Sequence, residues 1–267
     1  MSAPTFHASH SAVTSRLRSA GCVFAEDEAQ LLISAAHARE ELDRMVDQRV
    51  SGLPLEHVLG WAEFCGQHLA VDPGVFVPRR RTAYLVQEAA RIARPGAVVV
   101  DLCCGSGAVG TAVAAAVRGI ELHAADVDPA AVRCARRNIG PAGGEVHEGD
   151  LYSALPDTVR GRVDVLVANA PYVPTDAIGT MPPEARLHEP LVALDGGADG
   201  LDVQRRIAGE APLWLAPGGH LLIETSVRQA PSTADLFELA GLSAKVVHSD
   251  EFDATVVLGK LQESHRK

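Results

Sequence analysis

Apolar residues recur at intervals of three and four through the first fifty positions, in "SAVTSRLRSAG", "AEDEAQLLISAAH" and "AREELDRMVDQRVSG", which predicts three amphipathic helices. Gly21 and Gly52 stand where helix stops belong. The period then shortens: "LPLEHVLGWAEFCGQHLAVDPGVFVPRRRT" holds short alternating runs separated by "DPG", the pattern of a hairpin. From Thr82 the two periods alternate. Helices "AYLVQEAARIA", "AVGTAVAAAV" and "PAAVRCARRN" are interleaved with strands "AVVVDL", "ELHAAD" and "GEVHEG". Strand "VDVLVA", helix "DVQRRIAGEAPLWL", strand "HLLIET", helix "TADLFELAG" and strands "SAKVVHS" and "ATVVLGK" complete the series. Such alternation predicts right-handed βαβ crossovers and an α/β class fold, a doubly wound, mostly parallel sheet of seven strands. The expected organisation is a helical unit over residues 1–55, a β-hairpin linker over 56–81 and an α/β domain over 82–267.

Composition agrees with that reading and narrows the function. The 267 residues exceed the usual single-domain length of about 100 to 150, so one large domain with an appendage is expected. Hydrophobic residues make up 47% and aromatics only 4%, which suits helices packed on a buried sheet. A net charge of −10 excludes a general basic footprint for nucleic acid, and the clusters Arg79, Arg80, Arg81 and Arg133, Arg136, Arg137 read as solvated surface. The five cysteines, Cys22, Cys65, Cys103, Cys104 and Cys134, are odd in number and include neither a Cys-x-x-Cys pair nor a zinc-like spacing. A reducing compartment is expected, and no metal site. No basic-then-apolar leader opens the chain and no run of about 18 apolar residues occurs, so a cytoplasmic protein without membrane partners is expected.

Candidate chemistry begins at "VVVDLCCGSGAVG". Gly105, Gly107 and Gly110 follow the first strand and open a helix, where a tight turn and close ligand approach call for glycine. Asp126 ends the second strand at the place of an acidic ribose acceptor. These features indicate a nucleoside-containing cofactor without choosing it: a dinucleotide would set its pyrophosphate on the helix end, S-adenosylmethionine its amino acid portion. Asp101, together with Asp150 in "EGDLY" as an acceptor for an adenine amino group, favours the second. Cys103 and Cys104 read as small side chains permitting close approach.

The fourth strand runs straight into "NAPY". In an open α/β sheet ligands sit beyond the carboxyl ends of the strands, so Asn169, Ala170, Pro171 and Tyr172 emerge beside the cofactor loop. The Asn169 side-chain carbonyl and the Ala170 peptide carbonyl, held by Pro171, can accept both hydrogens of a planar NH₂ group, with Tyr172 as an aromatic wall. Fixing those hydrogens turns the nitrogen lone pair towards a methyl sulfonium without a charged base.

"NAPY" resembles the Asn-Pro-Pro-Tyr signature of amino methyltransferases. Together with "DEAQLLISA", "GLPLEHVLGWAEFCG", "VFVPRRRT", "DLCCGSGAVG", "ADVDPAAV", "GDLYSAL", "HEPLVALDGGADGLD" and "GGHLLIE", it resembles the HemK/PrmC protein-(glutamine-N5) methyltransferases over roughly residues 27–260. The resemblance implies a Rossmann-like, class I S-adenosylmethionine-dependent methyltransferase domain and an N-terminal helical domain that engages a peptide chain release factor. The methyl acceptor it implies is the glutamine of a Gly-Gly-Gln loop. By position it places Cys103, Cys104, Gly105, Ser106 and Gly107 in the cofactor loop, Asp126 and Val127 at the ribose, and Asp150 and Leu151 at the adenine. Thr82, Asp101 and Asn169 complete the cofactor contacts, and Asn169 to Tyr172 form the glutamine clamp. The chain departs from the family pattern at Ala170, where proline is usual, at "PRRRT", in place of Pro-Arg-x-(Glu/Asp)-Thr, and at Cys103-Cys104, where Gly-Thr is common. Rival readings are an N-methyltransferase of another protein, peptide or small amide or amine, an adenine-N6 methyltransferase, and a non-catalytic nucleoside-binding domain. Acidic charge counts against the adenine reading, and the Asn169 and Tyr172 pair against the non-catalytic one.

Overall fold

The computed structural model describes residues 9–262. Three helices open it, α1 (His10–Ser19), α2 (Ala25–Ala35) and α3 (Arg39–Val50), and bury their apolar stripes against one another around Leu17, Leu32 and Val46. A short helix α4 (Leu55–Leu59) closes that cluster with Leu55, Val58 and Leu59. The periodicity suggests extended chain here; Pro54 at the N-cap and Gly60 in the left-handed region at the C-cap set up one helical turn instead.

Strands β1 (Trp61–Phe64) and β2 (Gln67–Ala70) form the linking hairpin. Its turn is Cys65-Gly66, with φ of 50° and 74°, and not "DPG", which follows the second strand. Two positive φ values in a two-residue loop match the right-handed twist of the strands. Gly66 supplies one freely; Cys65 accepts the other at a cost, which is why turn propensity pointed elsewhere.

The large domain runs α5 (Ala83–Ile92), β3 (Val98–Leu102), α6 (Ala108–Ala116), β4 (Glu121–Asp126), α7 (Pro129–Ile139), β5 (Glu145–Glu148), β6 (Val163–Ala168), α8 (Pro183–His188), α9 (Asp202–Trp214), β7 (Leu215–Thr225), α10 (Ala230–Leu239), β8 (Leu242–Ser249) and β9 (Ala254–Leu261). The seven-stranded sheet has the order β5-β4-β3-β6-β7-β9-β8, parallel except for β9, which is antiparallel to both neighbours. Strand β3 is buried at all five positions, and Val165 to Ala168 of β6 are buried as well. Such strands read as unbroken apolar runs because helices cover both faces. Val99, Val165 and Val167 pack towards α5 and α6, whereas Val100, Leu166 and Ala168 pack towards α9 and α10. Each such valine or leucine side chain contributes about 1.5–3 kcal/mol by leaving water. Asp101 is the charged residue placed inside β3. The order reverses between β3 and β6, and that switch point is where the site lies.

Candidate active site

At the carboxyl ends of β3, β4 and β6 lies a cavity of about 360 Å³. Its walls bring together Thr82, Asp101, Cys103, Cys104, Gly105, Ser106, Asp126, Val127, Asp150, Leu151, Asn169 and Pro171, from segments distant in sequence. Gly107, Ala170 and Tyr172 lie outside the lining. Gly107 has φ of 76°, and a Cβ there would meet Ile139 Cδ1 at 2.8 Å and Ala135 Cβ at 3.1 Å. This glycine serves a left-handed turn and the close seating of α7 on the loop, rather than ligand approach.

The loop is held from several sides. Asp101, 1% exposed, accepts the Gly110 N–H at 2.8 Å on Oδ2 and so clips α6 to β3. Burial raises its pKa to about 7, against the pull of that N–H and with a further push from Asp126. Asp126 accepts from Gly105 N at 2.8 Å and from Asp128 N at 2.9 Å, and burial raises its pKa too. Cys103 and Leu151 both line the cavity with positive φ, 55° and 49°. The left-handed region is costly for residues with a Cβ, and such strain gathers at sites that over-determine the backbone. Cys103 stands where the family pattern has glycine, so its side chain is carried at a conformational cost. Asn138 ties the loop to the hairpin: its amide donates to Ser106 O at 2.8 Å and Ala70 O at 2.9 Å, and its Oδ1 accepts from Ala70 N at 2.8 Å.

Asn169 caps β6 with its amide nitrogen 3.4 Å from Thr82 Oγ1, an orientation that leaves the side-chain oxygen without a partner among the described residues. Ala170 is buried to 1% exposure. Tyr172 points past the cavity, its hydroxyl 3.4 Å from Glu224 Oε1. Burial first, and the Glu224 charge next, push its pKa up to about 12. Arg81 reaches the same Glu224 oxygen at 3.2 Å and lies 5.9 Å from the Tyr172 ring centre. Glu224 is 1% exposed and its Oε2 has no hydrogen-bond partner among the described residues. Burial raises its pKa despite Thr82, Arg81 and Tyr172.

Asp128, Glu224 and Arg206 escaped the sequence reading. Glu224, a lone acid near the carboxyl end of the apolar run "HLLIET", carried a usable signal because strand ends build sites in such sheets. Arg206 lines the cavity and pairs with Asp150 Oδ2 at 2.6 Å, so one Asp150 oxygen is already engaged. On α9 it was one arginine among several surface positions.

The donor set fits S-adenosylmethionine. Asp101, Asp126, Asp128 and Asp150 surround the cavity, and its lining cation, Arg206, is paired to one of them. Such a field favours a ligand bearing an ammonium and a sulfonium and opposes a pyrophosphate.

Comparison with known proteins agrees. Residues 68–182 match the family model "Methyltransferase small domain". A release factor glutamine methyltransferase of Geobacter sulfurreducens is 39% identical over 199 residues, 74% of this chain and 69% of that one. One from Streptomyces coelicolor is 35% identical over 89% of this chain and 91% of its own length. The 4-amino-L-phenylalanine/4-methylamino-L-phenylalanine methyltransferase of Streptomyces pristinaespiralis is 32% identical over 90% and 89%. With its sheet order, its acidic cavity at the switch point and these similarities, the chain belongs to the release factor glutamine methyltransferase family.

Proposed function

We propose that this protein methylates the side-chain amide nitrogen of a glutamine in a protein, a peptide chain release factor, using S-adenosylmethionine. The observation that carries the reading is the position of Asn169, at the end of the buried strand β6 and on the wall of an acidic cavity. S-adenosylmethionine supplies an electrophilic methyl group. Asp126 would receive the ribose hydroxyls, Asp150 and Leu151 the adenine, and Asp101 the charge of the amino acid portion. Asn169 Oδ1 and the Ala170 carbonyl hold the two amide hydrogens of the acceptor, which keeps its nitrogen lone pair aimed at the cavity. Thr82 orients Asn169 by accepting from its nitrogen. Tyr172 braces the segment through Glu224 instead of forming the cavity wall.

Residues 1–55 are the unit proposed to choose the acceptor. Their Arg49, paired with Glu28 at 2.7 Å, also reaches Glu184 of α8 at 3.2 Å. That helix precedes Pro190, Val192 and Ala193, which line the cavity.

The test is incubation of the full chain with labelled S-adenosylmethionine and release factors of the same cell, followed by mass mapping. One methyl group on the glutamine of a Gly-Gly-Gln loop is expected; label appearing in no protein would overturn the assignment. A second reading, methylation of an amine on a free amino acid, draws on the full-length similarity to the 4-amino-L-phenylalanine enzyme and on Arg81. That guanidinium is 48% exposed beside Tyr172 and could receive a carboxylate. Label transfer to 4-amino-L-phenylalanine in the same assay would favour it.

A further inference from the structure

We propose that the outer edge of the sheet, on β4 and β5, carries a divalent transition-metal site built from His123, Glu145 and His147. No spacing motif announces it, because the three residues meet only through strand pairing. In the parallel register His123 lies opposite Glu145 and Ala125 opposite His147, and β5 is the edge strand. Residues two apart on a strand share a face, so both β5 side chains stand beside His123.

The donor atoms already stand at coordination distances from a common point. His123 Nδ1 lies 3.1 Å from His147 Nε2, and Glu145 Oε2 lies 3.8 Å from each of them. A circle through three atoms so spaced has a radius of about 2.1 Å, within the range of zinc–nitrogen and zinc–carboxylate bonds. Two imidazoles and one carboxylate are a donor set that suits zinc and its first-row neighbours.

A second, independent observation concerns what lies behind the histidine. His123 Nε2 is 3.3 Å from Glu121 Oε1. Glu121 is in turn gripped by Arg162 at 3.0 and 3.5 Å, and Arg162 is anchored on Thr158 O at 2.9 Å. A carboxylate accepting the Nε2–H fixes the tautomer that turns the Nδ1 lone pair towards Glu145 and His147, the arrangement that supports metal-bound histidines. The His123 side chain is 7% exposed, that of His147 19% and that of Glu145 66%, so the site opens to solvent on one side, where water completes the coordination.

Such an ion would brace the four-residue edge strand β5 against β4. The two strands lead into Asp126 and Asp150, the carboxylates on the cavity wall. The site is thus a staple below the cofactor cavity and takes no part in methyl transfer.

The experiment is calorimetric titration of the full chain, freed of metal by chelator, with zinc chloride, and a parallel cobalt(II) titration followed by visible absorption. One ion per chain is expected, with a tetrahedral cobalt spectrum and a raised Tm. Glu145→Gln alters an exposed side chain and His147→Gln a partly buried one, and the folding of both is checked by circular dichroism. His147→Gln should weaken zinc binding at least about 100-fold, and Glu121→Gln, which leaves all three ligands in place, about 10- to 100-fold. Zinc affinity unchanged in both His147→Gln and Glu145→Gln would place binding at other histidines and overturn the proposal. So would the absence of saturable binding, which would leave a hydrogen-bonded histidine pair and nothing more.

Discussion

Asp101→Asn should make this protein more stable in weak base while weakening its grip on cofactor. Asp101 is 1% exposed, and burial lifts its pKa from 3.8 to about 7. A folded-state pKa above the unfolded value means that the native state holds the proton longer. Stability from this group is therefore greatest below the unfolded pKa, falls as pH rises, and levels off above about pH 7. Between about pH 4.5 and about pH 8 the wild-type protein should lose about 3 kcal/mol on this account, at about 1.4 kcal/mol per pH unit of difference in proton binding. Asparagine has the same shape, can still accept the Gly110 N–H, and does not ionise. The variant should then be about 3 kcal/mol more stable than wild type near pH 8 and about as stable near pH 4.5. Urea unfolding of both proteins, followed by far-ultraviolet circular dichroism across that range, measures the difference directly. A gap that stays constant to within about 1 kcal/mol at every pH would refute the argument. Because a cationic ligand favours the ionised carboxylate, wild-type affinity for S-adenosylmethionine should fall as pH drops through 7, and the variant should lack that dependence.

Asn169→Ala removes the oriented amide at the end of β6 and should slow methyl transfer about 10²- to 10³-fold, with cofactor affinity nearly unchanged; full activity in steady-state assays would abolish its assigned role. Gly107→Ala must adopt φ of 76° and push against Ile139 and Ala135. It should cost about 2–4 kcal/mol in denaturant unfolding, whereas Gly105→Ala, with Phe76 Cβ as its nearest neighbour at 4.0 Å, should cost mainly the left-handed strain of about 1–2 kcal/mol. Arg49→Ala leaves Glu28 buried without its partner and should destabilise the helical unit by up to about 3–5 kcal/mol, read as faster hydrogen exchange in α1 to α3. Unchanged exchange there would show that the pair carries no such weight.

The sheet was legible because its strands are apolar runs that no helix period explains, and because glycine and acid mark their carboxyl ends. Alternation does not report which backbone closes a turn. "DPG" therefore stood in for Cys65-Gly66, whose geometry depends on a cysteine tolerating positive φ. The cofactor loop was found from its glycines, yet their division of labour was hidden: Gly107 answers to Ile139 and Ala135, over twenty-five residues downstream. Asp101 was singled out for its charge, but its bond to Gly110 follows from α6 folding back on β3. Glu224, Arg206 and the group at His123 share one reason for having been missed. Each acquires its neighbours from strand order and register, which a local pattern does not encode.

The bonds from Asn138 to Ala70 and Ser106 bear on how family members can be recombined. A designer wishing to exchange acceptor preferences would be tempted to cut at the end of the hairpin and transplant everything before Thr82. That graft would bring a foreign hairpin onto a cofactor loop whose seating depends on one asparagine meeting both. A boundary upstream, near Pro54, severs no hydrogen bond of Asn138, although it crosses the packing of α4 on the helical unit and the Arg49–Glu184 pair. In this molecule the hairpin belongs, for purposes of exchange, to the catalytic domain.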